Sequence, residues 1–147
     1  MGARCTFVFK TSEDHAVALY SHWGEDSMYP DLAAALNHAR PRWNDSSYGT
    51  RMVISYLLQH DILDETGFGI YGVDPSDQAF MDHPITIDFT DNTVGEGEEW
   101  HSFEEFVNYH GNILDKNLVA TATYNGDWSS LSGAAQATFL LALSPLF

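Results

Sequence analysis

The sequence predicts an α+β fold, a mainly antiparallel sheet of about four or five strands covered by two to four helices. Three observations predict it. Short runs rich in β-branched and aromatic residues, such as Phe7-Val8-Phe9 and Ile85-Thr86-Ile87-Asp88-Phe89, are bounded by turn residues. Two segments after the first pair of strands carry apolar residues at helical spacing instead. The resulting order, ββααββα, groups strands with strands and helices with helices.

Arg4 to Lys10 reads as the first strand, Thr11-Ser12-Glu13-Asp14 as a polar turn, and His15 to Tyr20 as the second strand of an antiparallel hairpin. Pro30 opens a helix in its first turn, where a missing N–H costs little, and Asp31 places a negative charge at the positive helix end. Leu32, Ala33, Leu36 and Ala39 form its apolar stripe up to Arg40, and Pro41 stops it. Ser46 or Ser47 caps a second helix running to about His60, with Val53, Leu57 and Ile54, Leu58 at i,i+4 spacing.

Phe68-Gly69-Ile70-Tyr71-Gly72-Val73 reads as a third strand and Ile85 to Phe89 as a fourth, with a short extension from Val94. Ser102-Phe103-Glu104-Glu105 matches a capping box and opens a short helix to Tyr109. Residues 1–110 thus form the α+β core of a single domain, 1–147, and 111–147 a C-terminal extension. In it, Leu118 to Tyr124 reads as a strand and Ala134 to Leu143 as an apolar helix that must be buried, in this chain or against a second copy.

Composition narrows the function. At 147 residues and 44% hydrophobic, the chain can bury a real core. Asp and Glu number 21 against 6 Lys and Arg, for a net charge of -15. Duplex nucleic acid is a poor partner for such a chain, since phosphate neutralisation needs many Lys and Arg. The plainest role of the charge is a solvated, soluble surface. A second is adaptation to high salt, and a third is imitation of DNA to occupy a nucleic-acid-binding protein. The single cysteine, Cys5, forms no intrachain disulfide, which suits a reducing cytoplasm. Neither a membrane-spanning stretch nor a signal peptide is expected, and Met1-Gly2-Ala3-Arg4-Cys5-Thr6 fits the loose myristoylation pattern less well than a plain strand.

Against this acidic background one segment stands out. Three of the six basic residues, Arg40, Arg42 and Arg51, lie close together with His38, Trp43, Ser47 and Tyr48. Guanidinium groups bind phosphate or carboxylate in a bidentate manner, aromatic rings stack on bases, and a helix start offers free N–H groups. The competing expectation is that each arginine pairs with a neighbouring acid, such as Asp31, Asp45 or Asp61, and fixes the two helices. Tyr20, His22 and Trp23 cluster at a strand end, a good place to recognise a flat ring; Trp23 as a plug for the sheet end is the alternative. Thr66 stands in Glu65-Thr66-Gly67-Phe68-Gly69, which is neither a P-loop nor a dinucleotide fingerprint. No metal motif or catalytic elbow is present, so no catalytic residue, metal or cofactor is assigned.

With Leu19-Tyr20-Ser21-His22-Trp23-Gly24, Arg42-Trp43-Asn44-Asp45-Ser46-Ser47-Tyr48 and Glu65-Thr66-Gly67-Phe68-Gly69-Ile70, the first two-thirds of the chain resembles small uncharacterised accessory proteins encoded by bacteriophages and prophages. The resemblance carries no established activity. It implies a setting in the host cytoplasm and a counter-defence role. The leading expectation is a non-enzymatic, homo-oligomeric protein that sequesters a small anionic, nucleotide-like ligand. Arg40, Arg42 and Arg51 would neutralise phosphates, Tyr20, Trp23, Trp43 and Tyr48 would stack, and His22, Ser47 and Thr66 would donate hydrogen bonds. One alternative is an acidic DNA mimic that blocks a host defence protein through Glu96, Glu98, Glu99, Glu104 and Glu105. A second is a nucleotide phosphodiesterase-like enzyme using His22 or His38.

Overall fold

Alternation along the first strand sets the plan. In the computed structural model, which describes residues 3–22 and 24–111, β1 (Cys5–Lys10) turns Cys5, Phe7 and Phe9 to one side and Thr6, Val8 and Lys10 to the other. It pairs antiparallel with β2 (Ala16–Ser21), and Phe7 stands opposite Leu19. The chain then crosses one face through a 3-10 turn (Glu25–Ser27), helix α1 (Met28–His38), a second 3-10 turn (Arg40–Arg42) and helix α2 (Ser46–Leu57). It returns as β3 (Phe68–Val73), antiparallel to β2.

Residues 74–83 next pass beneath the sheet, where Gln78 Nε2 donates to Thr86 Oγ1 at 2.9 Å. They deliver β4 (Pro84–Asp88) to the other side of β1, in parallel. A hairpin of β5 (Thr93–Glu96) and β6 (Glu99–Ser102) completes the sheet, and helix α3 covers residues 103–111. Among the described residues the sheet has six strands in the order β3-β2-β1-β4-β5-β6.

The α+β class, the mostly antiparallel pairing and the helices on one face agree with the sequence reading. The added strand is β6, whose Glu99-Trp100-His101-Ser102 has no apolar alternation. Pairing with β5 and the turn at Gly97, at φ 57, make it a strand. Leu118 to Tyr124 and Ala134 to Leu143 lie outside the described residues.

The core forms where the helices meet the sheet. Phe7, Phe9, Leu19, Ile85, Ile87 and Val94 are buried against Leu32, Leu36 and Val53 of the helices. Phe103 closes the far end, its ring 5.1 Å from Phe89 and 5.3 Å from Trp43, both edge-on. Helix α3 begins as its sequence demands. The Ser102 N–H donates to Glu105 Oε1 at 2.9 Å and the Glu105 N–H to Ser102 Oγ at 3.1 Å, a reciprocal capping box.

Helix α2 starts differently from expectation. Asp45, not Ser46 or Ser47, caps it, accepting from the Ser47 and Tyr48 N–H groups at 3.1 and 3.0 Å. A carboxylate serves better than a hydroxyl here because it also answers the positive helix end.

Candidate functional site

The residues that carry one arginine-aromatic site in the sequence are distributed over two places. Tyr20, His22 and Thr66 come together: the Tyr20 hydroxyl lies 3.0 Å from His22 Nδ1, and all three line a cavity of about 370 Å³ with Gly67, Phe68 and Gly69. Trp23 lies outside the described residues. Strand alternation sends Tyr20 to the face opposite Leu19, away from the helices.

The other group surrounds the junction of α1 and α2. Arg40 pairs with Glu104 of α3 at 2.9 Å, bonds Asn37 Oδ1, and lies 4.5 Å over the Trp43 ring. Trp43 donates Nε1–H to the Leu36 carbonyl at 2.8 Å and packs on Phe103. Arg42 stacks 4.9 Å over Tyr48, and Arg51 reaches Ser55 Oγ at 3.3 Å. The helix N–H groups at Ser47 and Tyr48 are taken by Asp45, so a negative charge already occupies the place an anionic ligand would need.

A different constellation forms on the helix side of the sheet, beside the β5–β6 hairpin. His83 is its hinge. The residue adopts φ 40, an uncommon conformation for a side-chain-bearing residue, immediately before Pro84 begins β4. Its imidazole stands between two carboxylates. Nδ1 is 2.8 Å from Glu25 Oε2, and Nε2 is 2.9 Å from Glu96 Oε2. Tyr29, in the first turn of α1, donates its hydroxyl to Glu96 Oε1 at 2.6 Å and lies 3.3 Å from His83 Nε2. Ionised carboxylates only accept, so both contacts become hydrogen bonds when the imidazole carries two protons.

The surroundings act on protonation accordingly. The hydrogen bond to Glu25 raises the His83 pKa above the ordinary 6.5; partial burial opposes it and Glu96 adds to it. Burial, reinforced by the bond to Glu96, pushes the Tyr29 phenol up to about 12.

Glu96 and Tyr29 also line a cavity of about 830 Å³. Glu99 and Glu105 supply further carboxylates to its lining, with His101 beside them. Its aromatic side is built from Tyr29, Phe106, Tyr109 and His110. The His110 ring is stacked on Tyr29 at 5.1 Å and lies 4.4 Å from Phe106. Burial, then the nearby His101, lowers the His110 pKa below 6.5. Among the described residues no lysine or arginine contributes to the lining. Carboxylates and the negative faces of aromatic rings favour an organic cation over an anion.

Sequence reasoning names Glu96, Glu99 and Glu105 only as acids of a DNA-like surface and does not find the cavity they line. The acids and rings of the whole site come from positions 25, 29, 83, 96 and 99–110, and the Tyr29–Glu96 pair is 67 residues apart. The local signals are Tyr29-Pro30 at a helix start and His83-Pro84 before a strand, and neither names a partner.

Among the described residues no group of three or more His, Cys, Asp or Glu is placed to hold a metal ion, and no helix is long and apolar enough to cross a membrane. Comparison of the chain with protein-family models, with curated proteins and with solved structures finds no match.

Proposed function

We propose that this is a binding protein whose acidic, aromatic-walled cavity receives an organic cation, an ammonium or guanidinium group. The observation that carries the reading is the lining itself: Glu96, Glu99 and Glu105 with Tyr29, Phe106 and Tyr109, and, among the described residues, no basic side chain other than histidine. Net charge of -15 favours the same ligand class at long range, by drawing cations towards the surface and slowing the approach of anions.

The sequence-based expectation of an anionic, nucleotide-like ligand has less support from geometry. Arg40 is committed to Glu104 and Trp43, and Asp45 fills the start of α2. The interaction-protein alternative fits better, in modified form. Glu104 is neutralised by Arg40, which interrupts a DNA-like stripe, whereas Glu96, Glu99 and Glu105 line the cavity. In the phage-accessory setting the natural source of the cation is a lysine or arginine side chain of a basic host protein. Free amines offer the same chemistry.

Calorimetric titration with ethylguanidinium, with an arginine-containing peptide and with a nucleoside monophosphate separates these readings. The expected result is binding of both cations, weakened about tenfold or more by Glu96→Gln with Glu99→Gln. Stronger binding by the peptide than by the free cation points to a protein partner. Nucleotide binding lost in Arg42→Ala with Arg51→Ala, with no response to cations, overturns the proposal in favour of the anionic ligand.

A further inference from the structure

His83 is not part of the cavity lining, yet it holds the carboxylate that is. Glu96 Oε1 receives the Tyr29 hydroxyl at 2.6 Å and Glu96 Oε2 faces His83 Nε2 at 2.9 Å. An imidazolium there offsets the charge of Glu96, a lining acid less exposed than Glu99, from outside the lining. We infer that binding of a cation in this cavity is coupled to release of a proton from His83, because the imidazolium and the incoming cation compete for Glu96. The inference rests on the cation-binding reading above and names the regulation of that site.

The geometry supplies both states. With two protons on the ring, Nδ1–H donates to Glu25 and Nε2–H to Glu96, and Tyr29 O–H gives Glu96 its second bond. Loss of the Nε2 proton to solvent leaves Nδ1–H on Glu25 and a lone pair on Nε2. The Tyr29 hydroxyl stays on Glu96 Oε1 at 2.6 Å, so Glu96 keeps one neutral donor and loses the charged one. Its negative charge, no longer offset by the imidazolium, then faces the cavity. One proton leaves and one hydrogen bond, His83 to Glu96, is lost.

The charged and titratable groups around this pair come from each element packed on it. They are Glu25 from the 3-10 turn, Tyr29 from α1, Asp82 beside His83 in the chain, Glu96 from β5, Glu99 from β6, and His110 from α3 on the far side of Tyr29. Among the described residues of this group, His83 alone bridges two carboxylates. The raised pKa of His83 places the exchange above the ordinary histidine range, and a cation bound beside Glu96 lowers that pKa by the same factor that the proton weakens the cation.

The test uses the whole chain and ethylguanidinium, which stays charged throughout the range examined. Calorimetry in two buffers of different ionisation enthalpy gives affinity and protons released together. From about pH 6 to about pH 9 the affinity should rise about tenfold, with protons released over the interval in which it rises. Glu25→Gln removes the stronger support of the imidazolium and should move the midpoint of this rise to lower pH. His83→Gln should bind with no dependence on pH over the same range. Binding that is flat with pH and releases no proton overturns the coupling and leaves the cation site standing. Absence of ethylguanidinium binding at every pH overturns both.

Discussion

The Tyr29 hydroxyl, in the first turn of α1, donates a 2.6 Å hydrogen bond to Glu96 at the end of β5. The bond ties the helix layer to the β5–β6 hairpin and shares its acceptor with His83. Tyr29→Phe keeps the ring stacked on His110 and removes only this donor. We expect a loss of about 1 kcal/mol in urea unfolding. In alkaline ultraviolet titration the wild type should retain a protonated phenol well beyond the ordinary 10, and the variant should lack it.

Two histidines should shape the pH dependence of stability in opposite directions. The folded-state pKa of His83 is raised, chiefly by its bond to Glu25, so its contribution is complete below the unfolded value near 6.5 and is lost as pH rises through the folded value. The pKa of His110 is lowered, chiefly by burial, so stability falls as pH drops below 6.5 towards the folded value. Denaturation midpoints should therefore be highest near about 6.5 in this part of the range. His83→Gln should flatten the alkaline side, and His110→Phe the acid side.

Gly49 occupies a helix interior where alanine is ordinarily better by about 1 kcal/mol. A Cβ here would fall 2.7 Å from the Arg42 carbonyl oxygen and press on the buried ring of Phe89. The carbonyl cannot move without disturbing the turn that precedes α2. Gly49→Ala should therefore destabilise by about 1 to 3 kcal/mol, read by thermal or urea unfolding.

The three arginines should not behave alike. Arg40→Ala breaks the link between the second 3-10 turn and α3 through Glu104 and uncovers Trp43, and should cost about 1 kcal/mol. Arg42→Ala and Arg51→Ala should each lie within about 0.5 kcal/mol of wild type. Parallel melting curves of the three variants check the order.

The fold was legible where chemistry is local. Phe68 to Val73 reads as a strand and is one, and the Ser102–Glu105 capping box forms as written, because each depends on neighbours a few residues away. Strand β6 was not legible, since its stability comes from pairing with β5 rather than from its own pattern. The parallel pairing of β1 with β4 has the same origin in long-range contact.

The site follows the same division. Arg40, Trp43 and Tyr20 draw attention by composition, yet Arg40 and Trp43 are committed to the junction of α1, α2 and α3, and Tyr20 emerges on the other face of the sheet. Tyr29 and His83 are unremarked in sequence, and Glu96 is noted only among the acids of a DNA-like surface, because nothing in their spacing shows that the topology brings them within hydrogen-bond reach.

The most direct measurement of the central claim is an ethylguanidinium titration followed by side-chain NMR resonances of His101 and His110, both of which line the cavity. Saturable shifts at both, reduced in Glu96→Gln with Glu99→Gln, are the predicted result. Unmoved histidines, with the first shifts appearing at Tyr48 and Arg51 on addition of a nucleotide, would contradict the account.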